Sequence, residues 1–191
     1  MSMRCFIAIE VPEDIQDAMG RVQEKLRAAN ADVKWTEPRN IHLTTKFLGD
    51  VDDVEIPKVC GVMTACALEA RAMELEIAGL GTFPPAGAPR VVWVGVGRET
   101  EPLAHLVDAL EQGIDRAVGI PPEHRPYHAH LTLGRVRSTR NAARLVEKMG
   151  QCGPVALGAF TADSLTLFMS ELTRGGSVYT RLATAKMGSE K

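Results

Sequence analysis

The chain has 191 residues and a formal net charge of −2, with 45% hydrophobic and 24% charged residues. This composition is typical of a globular protein with a core of its own, and the near-zero charge argues against a protein that coats nucleic acid along its length. The sequence offers no apolar stretch long enough to span a bilayer, and its N-terminal apolar run is too short for a signal peptide.

Four scattered cysteines form no CxxC pair and lie near no histidine at a metal-ligand spacing. Without a secretion signal, such thiols predict a reduced, cytoplasmic protein. We expect no metal and no cofactor. Since no heptad pattern is present, we also expect a monomer.

The first half of the chain mixes strand and helix patterns. In chain order these patterns predict a strand over 3–9, a helix opening at Pro12 and Glu13, a turn over 38–40, a strand through His42, a helix over 54–70, a strand over 74–80 and an irregular loop over 81–89. Pro57 fits the helix only in its first turn.

The second half continues in the same way. It predicts a strand over 91–96, a helix over 102–118, a connector over 121–127, a strand through His130, a basic helix over 139–149, and strands over 162–169 and 177–183 joined by a Gly175–Gly176 turn. This order lacks strict βαβ alternation and therefore predicts an α+β protein. We interpret residues 1–191 as one domain of two similar lobes with a cleft between them.

The string His-Leu-Thr occurs twice, at residues 42–44 and 130–132, each time in a strand-favouring context. Because residues i and i+2 of a strand point to the same face, each copy should present its histidine and threonine together and bury its leucine. A single His-x-Thr is common by chance. Two copies in two strands indicate a shared site.

Two imidazoles and two hydroxyls suit the hydrolysis of a cyclic phosphodiester. One histidine can take a proton from the attacking water, while the other gives a proton to the leaving ribose oxygen on the opposite side of phosphorus. Threonine hydroxyls can donate to the non-bridging oxygens. A zinc site with two histidines would need a third ligand, and none stands at a typical motif spacing.

These residues resemble the 2H phosphoesterase superfamily, and within it the bacterial and archaeal RNA 2′,3′-cyclic phosphodiesterases, also called 2′-5′ RNA ligases. Further blocks that match the family lie across the chain: 4–9, 40–49, 81–84, 89–96, 130–135 and 167–172. The resemblance implies a bilobal α+β fold in which two antiparallel sheets line a central cleft, with helices outside.

The resemblance also implies roles and substrates. His42 would be the proton donor, His130 the proton acceptor, and the product a 2′-phosphate. The implied partner is an RNA end with a 2′,3′-cyclic phosphate, tRNA fragments among them, and the same enzymes can join RNA ends through a 2′-5′ linkage. Where the family often has proline before the second histidine, this chain has Ala129.

Several other residues are candidates for substrate binding. Thr44 and Thr132 are candidates because each lies two residues after its motif histidine and should share its face of the strand. Lys46 lies two residues beyond Thr44 and would share that face in an unbroken strand. Arg135 matches a substrate-contacting arginine of the family, but its parity is opposite to that of His130, so it reaches the site only if the strand bends.

Four residues near the motifs have alternative interpretations. His128 would share the catalytic face of an unbroken strand, although a solvent-exposed position is the simpler interpretation. Phe47, Trp35 and Tyr127 could stack on a base. We expect Phe47 and Trp35 in the core and leave Tyr127 open.

Two alternative functions stay open on the sequence alone. The same site could act on a small cyclic nucleotide, or the protein could bind RNA ends without turnover. An assay that follows both turnover and the phosphate isomer formed separates these alternatives.

Overall fold

The structure is a computed structural model that describes residues 1–97, 100–174 and 176–188. Its strands are β1 (Ser2–Glu10), β2 (Val33–Trp35), β3 (His42–Asp52), β4 (Met73–Phe83), β5 (Val91–Gly97), β6 (His130–Val136), β7 (Ala156–Ala162), β8 (Ser164–Thr173) and β9 (Gly176–Lys186). Its α-helices are α1 (Glu13–Arg27), α2 (Ile56–Glu69), α3 (Thr100–Val118) and α4 (Ala142–Gln151).

The strands form an antiparallel network in the order β7-β4-β5-β6-β3-β1-β8-β9, with β2 paired to β6. The two motif strands, β3 and β6, lie next to each other at its centre and pair at one position, where Leu43 is opposite Leu131. The α+β class with antiparallel strands is confirmed. The two sheets that the family resemblance implies are joined at this single pair.

Each motif leucine belongs to a different core. Leu43 packs with α2 and α3, where Val59, Met63 and Leu110 are buried. Leu131 packs in a second core that includes Met19 of α1 and Leu145 of α4. Both motif leucines are fully buried, and truncating one to alanine would cost about 2–5 kcal/mol of stability. The predicted burial of the two leucines is therefore confirmed.

The helices lie close to their predicted positions. The apolar stripe of α1 is buried as the spacing predicts. Residues Asp53–Glu55 form a 3-10 turn ahead of α2, which places Pro57 in the first turn of that helix. The basic helix begins at Ala142 rather than at 139.

The structure corrects three predictions about strands. Two short strands were missed: β2 has only three residues, and β7 is an edge strand rich in alanine and glycine, residues with low strand propensity. The predicted loop over 81–89 begins too early, because β4 continues to Phe83 and pairs there with Val91 of β5. The predicted strand over 162–169 is divided at Asp163.

Strands β8 and β9 pair from Ser164 to Thr173 and form the expected hairpin. Of its predicted turn, Gly175 lies outside the described residues, while Gly176 is paired with Thr173. In the described parts of the chain, no helix is both long and apolar enough to cross a membrane.

Candidate active site

Each motif strand has a β-bulge three residues after its histidine, and β3 has a second one at Leu48. Opposite β1, Ala8 pairs with Thr44 and Ile7 pairs with Lys46, so Thr45 has no partner in the ladder. Opposite β5, Trp93 pairs with Thr132 and Val92 with Gly134, so Leu133 has none. A β-bulge of this kind reverses the alternation of faces for the residues beyond it.

The first bulge turns Lys46 away from the cleft. Its side chain is 1% exposed, and its ammonium donates to the carboxylate of Glu111 and, over 2.9 Å, to the carbonyl of Pro121. The parity argument for Lys46 as a substrate-binding residue is therefore wrong, because it assumes an unbroken strand. Lys46 instead ties β3 to α3 and to the connector that leads to the second motif.

The same bulges bring Phe47 and Arg135 into the cleft. Each stands five residues after its histidine, beyond the bulge, and each lines the cleft. The expectation of Phe47 in the core is wrong, since its side chain is 52% exposed. The bulge at Leu133 reverses the alternation of side chains beyond it. Arg135 therefore lies on the same face as His130, although an unbroken strand would place it on the opposite face.

The cleft has a volume of about 710 Å³ and contains both motifs. Its walls include both histidines and both threonines, His42, Thr44, His130 and Thr132. Five of the predicted site residues, these four and Arg135, are thus brought together, and only Lys46 is not. The cleft also contains residues that sequence reasoning did not single out, among them Arg4, Phe6, Lys34, Ser177 and Tyr179. They come from strands β1, β2 and β9, whose approach to the motifs is set by sheet order and not by the alternation within the motif strands.

The two histidines make the same backbone contact. Nδ1 of His42 lies 2.8 Å from the carbonyl oxygen of Asn40, and Nδ1 of His130 lies 2.7 Å from that of His128. A carbonyl oxygen can only accept, so Nδ1 carries a proton in each ring and donates it. Nε2 is then the nitrogen of each ring that is available for proton exchange.

Aromatic rings enclose His42. Its imidazole stacks on Phe6 with ring centres 4.6 Å apart, and Tyr179 meets it edge-on at 5.3 Å. Burial among these rings lowers the pKa of His42 to about 4, although the Asn40 carbonyl and the Glu10 carboxylate act in the opposite direction.

His130 has a different electrostatic environment. Burial lowers the pKa of His130, the His128 carbonyl opposes this, and the charges of His128 and Arg135 lower it further. The neighbouring charge that acts on His42 is therefore anionic, from Glu10, whereas those that act on His130 are cationic, from His128 and Arg135. These charges oppose the effect of burial at His42 and add to it at His130.

Of the other aromatic residues near the motifs, Trp35 lies in the wall of the cleft and Tyr127 lies against the protein core. Trp35 is half-buried, lines the cleft and carries the guanidinium of Arg27 at 5.3 Å over its ring. The ring of Tyr127 packs against the first core, and its hydroxyl donates to the carbonyl of Thr44. His128 is exposed and packs edge-on against Trp93 at 4.9 Å, outside the cleft lining. His128 thus contributes its carbonyl to the site.

Within residues 1–97, 100–174 and 176–188, no group of three or more His, Cys, Asp or Glu side chains is arranged to hold a metal ion.

Comparison with known proteins gives a consistent family. The sequence profile of the 2′-5′ RNA ligase superfamily matches residues 5–173. A Methanothermobacter thermautotrophicus protein named RNA 2′,3′-cyclic phosphodiesterase is 35% identical over 187 residues, which cover 98% of this chain and 100% of that protein. An Aeropyrum pernix protein of the same name is 32% identical over 171 residues, which cover 90% of this chain and 96% of that protein.

Solved structures share the fold. A structure from Thermus thermophilus matches with a TM-score of 0.81 and 28% identity, covering 99% of this chain and 100% of that one. LigT of E. coli in its apo form matches with a TM-score of 0.78 and 23% identity, covering 98% of each chain. At this identity the match shows a shared fold only. The chain belongs to the 2′-5′ RNA ligase superfamily and has its 2H phosphoesterase fold.

Proposed function

We propose that this protein hydrolyses 2′,3′-cyclic phosphates at RNA ends to 2′-phosphates. The observation that supports this most directly is the pair of histidines in one cleft, each with Nδ1 donating to the carbonyl two residues before it. This arrangement leaves two Nε2 atoms for the two proton transfers that the reaction needs. The relatives named RNA 2′,3′-cyclic phosphodiesterase supply the substrate class.

In the proposed reaction, His130 accepts a proton from water as the water oxygen attacks phosphorus. The bond from phosphorus to O3′ breaks, and His42 donates its proton to O3′. The products are a 2′-phosphate and a 3′ hydroxyl. A 5′ hydroxyl of another RNA in the place of water would give a 2′-5′ phosphodiester, which is the ligation reaction.

The charges around the two rings support this division of roles. A proton donor must be protonated before the reaction, and the Glu10 carboxylate favours the protonated form of His42. A proton acceptor must be neutral, and the Arg135 guanidinium favours the neutral form of His130. Binding of an anionic phosphate beside His42 would raise its pKa from the low value that burial gives it in the free protein.

Thr44 and Thr132 are proposed to donate to the non-bridging oxygens, and Arg135 to bind the phosphate charge. Since two imidazoles suffice for both proton transfers, we propose that the reaction needs no metal ion. The interpretation of residues 1–191 as one domain of two lobes, the cytoplasmic location and the monomeric state stay predictions.

The test is chromatography of an oligonucleotide with a 2′,3′-cyclic end before and after incubation with the protein. We expect a 2′-phosphate product, activity that survives EDTA, and a loss of about 10²–10⁴-fold on His42→Ala or His130→Ala. Circular dichroism of both variants checks that they fold. Binding without product, a 3′-phosphate product, or loss on chelation that a divalent ion restores would each contradict the proposal.

A further inference from the structure

A second cavity, of about 380 Å³, lies beside His42. It shares four wall residues with the cleft: Asn40, Ile41, His42 and Tyr179. Its volume falls in the range of about 300–1,000 Å³ that is usual for small-molecule sites. The two cavities therefore meet at the ring proposed to protonate the leaving oxygen.

Two arginines line this second cavity, and each is held by a carboxylate. Nε and Nη2 of Arg39 lie 2.8 and 2.7 Å from Oε2 of Glu37. Nε of Arg181 lies 3.0 and 2.9 Å from the two carboxylate oxygens of Glu10. Each guanidinium group thus contacts its carboxylate through two nitrogens.

The pairing also leaves hydrogen-bond donors for a ligand. A guanidinium group has five N–H donors, and these contacts use only Nε and one terminal nitrogen of each group. The side chains of Arg39 and Arg181 are 81% and 67% exposed, so their remaining N–H groups are accessible. Gln16 and Thr180 add neutral polar groups to the same wall.

The proposed reaction determines which part of the substrate lies on this side. Water must approach phosphorus from the His130 side, in line with the bond to O3′, so the ribose lies toward His42. The 5′ carbon of that ribose carries the next phosphodiester of the RNA. That phosphodiester is the first anionic group of the substrate upstream of the reacting phosphate.

We propose that the second cavity is a subsite for this upstream phosphodiester, bound by Arg39 and Arg181. The inference rests on the proposed function and extends it, because it makes an oligonucleotide end a better substrate than a mononucleotide. Guanidinium groups suit the ligand because their planar N–H pairs match two oxygens of one phosphate.

The test compares three substrates with 2′,3′-cyclic ends: adenosine 2′,3′-cyclic phosphate, the dinucleotide ApA with a cyclic end, and the same dinucleotide with a neutral methylphosphonate at its internal linkage. For the wild-type protein we expect the highest kcat/KM on the charged dinucleotide. Arg39→Ala should lower the ratio of charged to neutral dinucleotide by about three- to fivefold, as suits one exposed charge pair. Arg21, an exposed arginine of α1 that lines neither cavity, is the matched control, and Arg21→Ala should leave the ratio unchanged.

Two results overturn the subsite while the proposed function stands. One is equal kcat/KM of the wild-type protein on the charged and neutral dinucleotides. The other is an Arg39→Ala variant whose ratio matches that of the wild type or of Arg21→Ala. Absence of turnover on all three substrates is a different result, because it refutes the proposed function itself.

Discussion

The hydroxyl of Tyr127 donates a hydrogen bond to the backbone carbonyl of Thr44 across 3.0 Å. Tyr127 stands three residues before His130, whereas Thr44 belongs to the first motif. The bond therefore joins the segment that leads into one motif to the strand of the other. Between these two strands the ladder itself has one pair, Leu43 with Leu131.

Replacing Tyr127 with phenylalanine should lower kcat and leave KM unchanged. The ring is kept, so only the hydrogen bond is lost, at a cost of about 1 kcal/mol in the free energy of unfolding. Since the Thr44 hydroxyl would be displaced rather than removed, the loss in kcat should stay below the roughly 100-fold cost of deleting such a donor. Steady-state kinetics of Tyr127→Phe and Thr44→Val, measured in parallel, compare displacement of the Thr44 hydroxyl with its removal. A wild-type kcat in Tyr127→Phe would refute the coupling.

Lys46 should matter for stability and not for substrate binding. Lys46→Met leaves the buried Glu111 carboxylate without its cation, which should cost about 3–5 kcal/mol of unfolding free energy. The double variant Lys46→Met, Glu111→Leu removes both charges and should recover most of that loss. Urea denaturation measures the recovery. A stable double variant with a raised KM would show that Lys46 binds substrate after all.

The pH range in which kcat/KM is maximal should be lower than the range expected for two histidines with unshifted pKa values. Activity that needs protonated His42 is lost as pH rises through its pKa, which is about 4 in the free protein. Activity that needs neutral His130 is lost as pH falls through its pKa, which burial lowers below 6.5. Both limbs of the kcat/KM profile should therefore lie below pH 6.5, whereas a bound phosphate should shift the alkaline limb of kcat upward. An alkaline limb of kcat/KM above pH 7 would contradict the lowered pKa values of the two histidines in the free protein.

Glu10→Gln should move the limb of the kcat/KM profile that lies at the pKa of His42 further down in pH. Hydrogen bonds from Arg181 lower the pKa of Glu10, so this carboxylate stays charged and favours the protonated form of His42. The amide removes that charge and leaves the Arg181 cation, and both changes disfavour protonation of His42. The measurement is the kcat/KM profile of the variant. A profile in which neither limb moves from its wild-type pH would exclude Glu10 as the group that favours the protonated form of His42.

Phe47→Ala should raise KM without loss of stability. The Phe47 ring is half exposed at the cleft wall and offers a face for a substrate base, a contact that is worth about 1–3 kcal/mol in single-stranded nucleic acid complexes. The matched control is Leu68→Ala, which removes another large exposed apolar side chain from α2, outside the cleft. Equal KM values for the two variants would show that Phe47 does not contact the base.

The motifs could be recognised in the sequence because strand alternation acts on neighbouring residues. The pattern alone predicts that Leu43 and Leu131 are buried and that the histidine and threonine of each motif share a face, and the structure has this arrangement. The amphipathic spacing of α1 could be recognised for the same reason. Such local periodicity does not depend on which strand becomes the neighbour.

The tertiary structure decided whether the side chains of Lys46, Phe47 and Arg135 face the cleft. Each lies beyond a bulge, and a bulge arises where two strands that are distant in sequence pair with unequal residue counts. The alternation of side chains within a motif strand gives no information about the number of residues in the segment that pairs with it. The electrostatic difference between His42 and His130 has the same origin, since Glu10 lies on β1, a neighbouring strand, and Arg135 reaches the cleft only through the bulge at Leu133. The sequence by itself determined which residues could do the chemistry, and strand pairing decided which of them face the cleft.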